Sequence, residues 1–212
     1  EEVTIIDSNT RNEKIKNFFI NNKKKIIIGF STLLIVIIGY LSIKEIKEQN
    51  KIKLGNKFNI IKINFKSDGQ QKTINQLIKL INENDTTYSP LALYFLIDNN
   101  LIDSKEETNL LFNKLISDTP LDEEIKNLII YKKALFNSEF STENDLLKIL
   151  NPIINSKSIW KSHSLYLMAE YFYSNNQKEK AKEFFNQIVI LPNSNNDIKL
   201  QSQKRLNRDF SE

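Results

Sequence analysis

The sequence predicts an all-α protein: one N-terminal transmembrane helix, then a stack of antiparallel helix pairs closed by a C-terminal capping helix. Three observations lead there. Eighteen uncharged residues, Ile26 to Ile43, follow the triplet Lys23-Lys24-Lys25. Beyond them the apolar residues recur three and four apart, the period of a helix with one buried face. The prolines, Pro90, Pro120, Pro152 and Pro192, fall near segment ends at intervals of 30, 32 and 40 residues. Such spacing suits stacked helix hairpins.

The apolar run comes first in the chain and constrains it most. As a helix it measures about 27 Å at roughly 1.5 Å per residue, close to the roughly 30 Å hydrocarbon core of a bilayer. Ser31, Thr32 and Ser42 can return their hydroxyl protons to carbonyls one turn back. A buried core helix normally keeps a polar stripe, and this run has none. Its flanks do not resemble a cleaved signal, because no small-x-small site follows Tyr40. The expectation is an uncleaved single span, with residues 1–25 on one side and 44–212 on the other. Six basic residues precede the span closely and five follow it, which barely separates the flanks. The lysine triplet abutting the membrane favours a cytoplasmic N-terminus and an exported C-terminal domain.

Composition narrows the function classes. The chain has no cysteine, which removes disulfides, thiolate catalysis and cysteine-based zinc sites. Residues 1–25 hold six basic and four acidic groups, and residues 44–212 hold 24 and 22, so neither segment is strongly basic. The only arginines are Arg11, Arg205 and Arg208. Arginine is the usual bidentate reader of phosphate and guanine, so nucleic acid is not expected as a partner.

Along the soluble part, residues 44–66 and 72–84 read as the pair nearest the membrane, with Ile74, Leu77, Ile78 and Ile81 on one face. Residues 89–120 read as a hairpin turning at Asn99-Asn100, with Leu111 and Leu115 inside. Leu128, Tyr131 and Leu135 carry the next first-helix spacing, closed by residues 146–150 and Pro152. Residues 196–208 form a polar last helix that covers the open end of the stack, as terminal repeats must.

The segment Ser162 to Pro192 is the best-preserved copy and resembles a tetratricopeptide repeat. Leu165, Met168, Ala169 and Phe172 stand at its first-helix positions, and Ala181, Phe185 and Ile188 at its second. Leu stands for the family's Trp, Ile for its last small residue, and Pro192 comes one residue early. Asn175-Asn176 supplies the turn, where left-handed backbone is tolerated.

No catalytic constellation emerges. His163 is the only histidine, so one chain cannot build a His-based metal site or triad. Gly29, Gly39, Gly55 and Gly69 form no phosphate-cradling loop. Glu106-Glu107 and Asp122-Glu123-Glu124 sit at helix starts, where they complement the helix dipole. The expectation is a protein that is not an enzyme and needs no cofactor. Tyr166, Glu170 and Tyr173 follow an i, i+4, i+7 pattern, offset from the residues that face neighbouring helices. They form the candidate protein-binding groove, the alternative being aromatic packing against the terminal helix.

The order of parts, with Phe18-Phe19 before the lysines, one span, then degenerate helix pairs, resembles the YfgM-like family of bacterial inner-membrane proteins. The motifs YSPLALYFLIDNNLID and AEYFYSNNQKEKAKEFFNQI carry the likeness further. What the resemblance implies is an ancillary subunit of the Sec translocon with a periplasmic domain. Its partners would be the translocon, a peptidyl-prolyl isomerase-type chaperone and emerging secretory clients. The rival reading is a structural scaffold subunit of another inner-membrane or envelope assembly complex.

Overall fold

Four glycines and four prolines in 212 residues leave few breaks in helical sequence, and the described chain is helical nearly throughout. The structure, a computed structural model, describes residues 8–67 and 69–210, with side chains from Arg11 onward. Among these residues there are nine helices and no strand. They divide into two compact units, one up to Leu54 and one from Gly55 onward.

Helix α1 (Ser8–Asn64) supplies all the described residues of the first unit. Its window around residues 26–43 is long and apolar enough to cross a bilayer, and none of that window is buried by protein. Thr32 donates its hydroxyl to the Ile28 carbonyl at 2.9 Å, so its one polar group is satisfied within the helix. The separate helix expected over 44–66 does not exist: no proline or paired glycine interrupts the ladder, and α1 continues through it.

The second unit holds the last turns of α1 and then α2 (Gln70–Asn82), α3 (Tyr88–Asp98), α4 (Lys105–Asp118), α5 (Glu123–Asn137), α6 (Glu143–Ile154), α7 (Lys161–Ser174), α8 (Lys178–Ile190) and α9 (Asn196–Asp209). Each packs chiefly on its neighbours in the chain. The end of α1 borders α2, as expected of residues 44–66 with 72–84, and Lys57 pairs with Glu83 at 3.9 Å. The α1 rings meet α3: Phe58 lies 6.2 Å from both Tyr88 and Phe95, and Phe65 lies 5.3 Å from Phe95. α3 also packs more closely on α2 than on α4. The α2–α3 corner is tied by Ser89, which donates to the Leu80 carbonyl (2.8 Å) and accepts from the Asp85 amide (2.9 Å).

Turn chemistry follows the residue types. Asn84, Asn100 and Asn176 take left-handed φ values of 52°, 50° and 59°. Asparagine tolerates this region better than other non-glycine residues. At two of these sites the last carbonyls are closed in the Schellman pattern: Leu101 N–H to Leu96 O and Gln177 N–H to Phe172 O, both 2.9 Å. The turns read at Asn99-Asn100 and Asn175-Asn176 are thus where the chain reverses. Helix starts are capped by Ser104, Thr142 and Asn195, each accepting a first-turn amide. Glu106, Glu107, Glu123 and Glu124 occupy first turns. Pro90 lies in the first turn of α3 and Pro152 in the last turn of α6, while Pro120 and Pro192 lie in connections.

The core repeats itself. Ile130, Ala134, Leu146, Leu150 and Ile153 are buried in α5 and α6; Leu165, Ala169, Ala181, Phe185 and Ile188 are buried 35 positions further on. This shifts the expected register of α5. Leu135 is half exposed and Tyr131 only partly buried, whereas the neighbouring Ala134 and Ile130 face inward. At the position matching Phe172, α5 instead buries Asn137. Its amide exchanges hydrogen bonds with Asn109 of α4 (2.8 and 3.0 Å) and donates to the Lys133 carbonyl.

Candidate functional site

Three side chains of α7 rise on one face because residues four and three apart share a helical side. Tyr166, Glu170 and Tyr173 are each partly buried, and the structure places α9 against all three. Glu170 accepts a bidentate pair from Arg205, Nε to Oε1 and Nη2 to Oε2, both 2.8 Å. The guanidinium carbon of Arg205 lies 4.1 Å from the Tyr173 ring centroid. Tyr173 also meets Phe210 edge-on at 5.8 Å, and Tyr166 meets Phe185 at 5.6 Å.

Arg205 is the centre of this arrangement, with only 13% of its side chain exposed. A guanidinium so far from water needs its donors satisfied, and its fork is suited to doing so. Besides Glu170 it pairs with Asp209, one turn on, which also accepts from Arg208 at 2.7 and 2.9 Å. The Arg208 hydrogen bonds, with the charges of both arginines, hold the Asp209 carboxyl below the usual range. Burial pushes the Tyr166 hydroxyl up to about 12, and the neighbouring Glu170 carboxylate adds to it.

Two open spaces border the face. Tyr166 lines a groove of ≈ 640 Å³ with Gln201, Lys204, Arg205 and Arg208. Glu170 and Tyr171 line a smaller cleft of ≈ 400 Å³ beside the α5–α6 turn, where Tyr171 donates to the Ser141 carbonyl at 3.0 Å. A third groove, ≈ 680 Å³, lies elsewhere in the unit, floored by Ile60, Ile61 and Leu80 and rimmed by Lys57, Lys79 and Glu83.

The spacing picked out the face, and α9 lies on it, as the alternative of packing against the terminal helix expects. Arg205 lies in a helix that reads as polar, with Phe210 just past its end, and only the scarcity of arginine marked Arg205 out. His163 sits in the first turn of α7, partly buried between Trp160 (5.1 Å) and Tyr131 (5.9 Å). Its buried Nδ1 has no hydrogen-bond partner, and burial lowers its pKa, the Ile159 carbonyl opposing this weakly. Among the described residues no group of three His, Cys, Asp or Glu side chains converges as metal ligands would.

The class these features define is an all-helical protein with one helix apolar enough to cross a membrane. No family model, curated protein or solved structure matches the chain.

Proposed function

We propose that this protein is a single-pass, non-enzymatic inner-membrane protein whose helical repeats bind other proteins, assisting secretory export at the Sec translocon together with periplasmic chaperones. The carrying observation is the pairing of an apolar helical window with none of its surface buried and a wholly helical unit built on a 35-residue repeat. Apolar surface on that scale needs hydrocarbon or another protein around it. Stacked hairpins, in turn, bury a continuous core and leave extended faces for partners.

The tetratricopeptide reading rests on α7 and α8. Ala169 and Ala181 are wholly buried where the motif requires small residues, and Phe172 and Phe185 fill its aromatic positions. Lys23-Lys24-Lys25 supports a cytoplasmic N-terminus and a periplasmic helical unit. The Sec assignment rests on the resemblance to the YfgM-like family. Mild-detergent purification of the native protein, followed by mass spectrometry of what accompanies it, tests the whole reading. Translocon components and an isomerase-type chaperone are expected. Recovery of a different envelope complex in their place would make the protein a scaffold subunit.

A further inference from the structure

α9 packs on α8 and α7 but is held differently from the helices before it. Of its fourteen residues only Ser202 is fully buried, donating its hydroxyl to the Ile198 carbonyl at 2.8 Å. Ile198, Leu206 and Phe210 are partly buried, and with Ser202 they make a single row at four-residue spacing. Every other helix of the unit from α2 to α8 buries at least three residues. The remaining grip of α9 is polar and local. It consists of the Arg205 fork on Glu170, the guanidinium lying on Tyr173, and the Asn195 amide donating to Ser162 Oγ at 3.2 Å.

The surface beneath α9 is the opposite in kind. Tyr173, Phe185 and Tyr166 present rings, and Glu170 presents a carboxylate aimed at an incoming guanidinium. It therefore specifies its occupant. A fitting segment is a helix with an apolar residue, a small residue four later and a leucine four after that. An arginine must precede the leucine, and an aromatic must follow it by four. The small residue permits close approach, and the arginine supplies the one charged contact that the face is built to satisfy.

Resting on the reading of the chain as a protein-binding module, we propose that α9 is a replaceable occupant of this face. A helix of the same pattern from another polypeptide takes its place. The chain then binds such partners against the competition of its own α9, so the apparent affinity is reduced by the fraction of time α9 is docked.

The test uses the full chain in detergent micelles and a fluorescent peptide of residues 195–210 as the probe. Arg205→Ala in the chain, which weakens the docked helix and leaves Glu170 and the rings in place, is expected to bind the peptide at least tenfold more tightly than the unaltered chain. A chain ending at Ser194 is expected to bind it more tightly still. An Arg205→Ala peptide is expected to lose tenfold or more against either. Amide exchange in the unaltered chain should show α9 opening well before α7 and α8.

The proposal is overturned if the shortened chain keeps its helicity and binds no peptide. It is equally overturned if that chain unfolds, since α9 is then part of the core, or if α9 amides exchange as slowly as those of α7. Should the unaltered chain capture native partners undiminished by saturating peptide, this face is not the site, and the protein-binding reading stands without it.

Discussion

Gly55 shows how one residue sets a helix contact. It is buried in the last turns of α1, and a Cβ built there would meet the Tyr88 ring, with Cζ at 2.8 Å and the hydroxyl nearer still. A glycine inside a helix costs about 1 kcal/mol relative to alanine, so its presence here fits the close approach of Tyr88. Gly55→Ala is expected to lower stability by about 1 kcal/mol or more, since overpacking typically outweighs the propensity gained. Tyr88→Phe in the same chain removes the nearest atom and should restore part of the loss; thermal unfolding of the two variants side by side checks this. His163 gives a residue-scale pH dependence. Burial lowers its pKa from 6.5, so the folded state prefers the neutral ring more than the unfolded chain does. That contribution is complete above pH 6.5 and is lost as pH falls from there through the depressed folded value. Between pH 7 and pH 5 the unaltered protein should lose more stability than His163→Gln, with Trp160 fluorescence reporting the transition. Equal losses in the two proteins would show that the ring does not couple to folding.

At the scale of elements, α7 and α8 test the repeat geometry most directly. Ala169 and Ala181 are wholly buried, where a larger side chain would press on its neighbours. Ala169→Leu and Ala181→Leu should each cost roughly 1–3 kcal/mol, several degrees of melting temperature in a chain of this size. Ala134→Leu should behave likewise, because Ala134 occupies the equivalent site in α5. A variant that melts with the unaltered protein would break the proposed equivalence. This pair was legible in the sequence because its small, apolar and aromatic residues stand at the spacing of a tetratricopeptide-like helix hairpin. α5 was less legible for a physical reason. Leu128, Ile129, Ile130 and Leu135 place apolar residues on more than one face, so periodicity alone did not choose between Leu135 and Ala134. The Asn109–Asn137 amide pair was invisible for the opposite reason. Asparagine reads as surface, and only the pairing across α4 and α5 makes its burial tolerable. The face of Tyr166, Glu170 and Tyr173 was legible from spacing, and so was the alternative that the terminal helix packs on it; the pairing of Glu170 with Arg205 was not, because it rests on a single charge in a polar helix.

For the whole molecule, what matters is which side of a membrane the helical unit occupies, because that decides which proteins it can meet. The apolar window of α1 is flanked by Lys23, Lys24 and Lys25 before it and by Lys44 and Lys47 after it. Lysine and arginine near the ends of a span are retained on the cytoplasmic side, and acidic residues count for little. With fifteen residues weighed on each side, the N-terminal flank leads by six basic residues to five, a margin carried by the triplet. Removing it would leave three against five. In a bacterial host, protease added to spheroplasts should therefore digest the helical unit of the unaltered protein while sparing the N-terminal segment. Replacing the triplet with glutamine should protect the unit in a substantial fraction of molecules, because the excess of lysine then lies on the other flank. Protection of the unit in the unaltered protein would place it in the cytoplasm and remove periplasmic chaperones from its possible partners. The proposed binding face would remain, facing a different set of proteins.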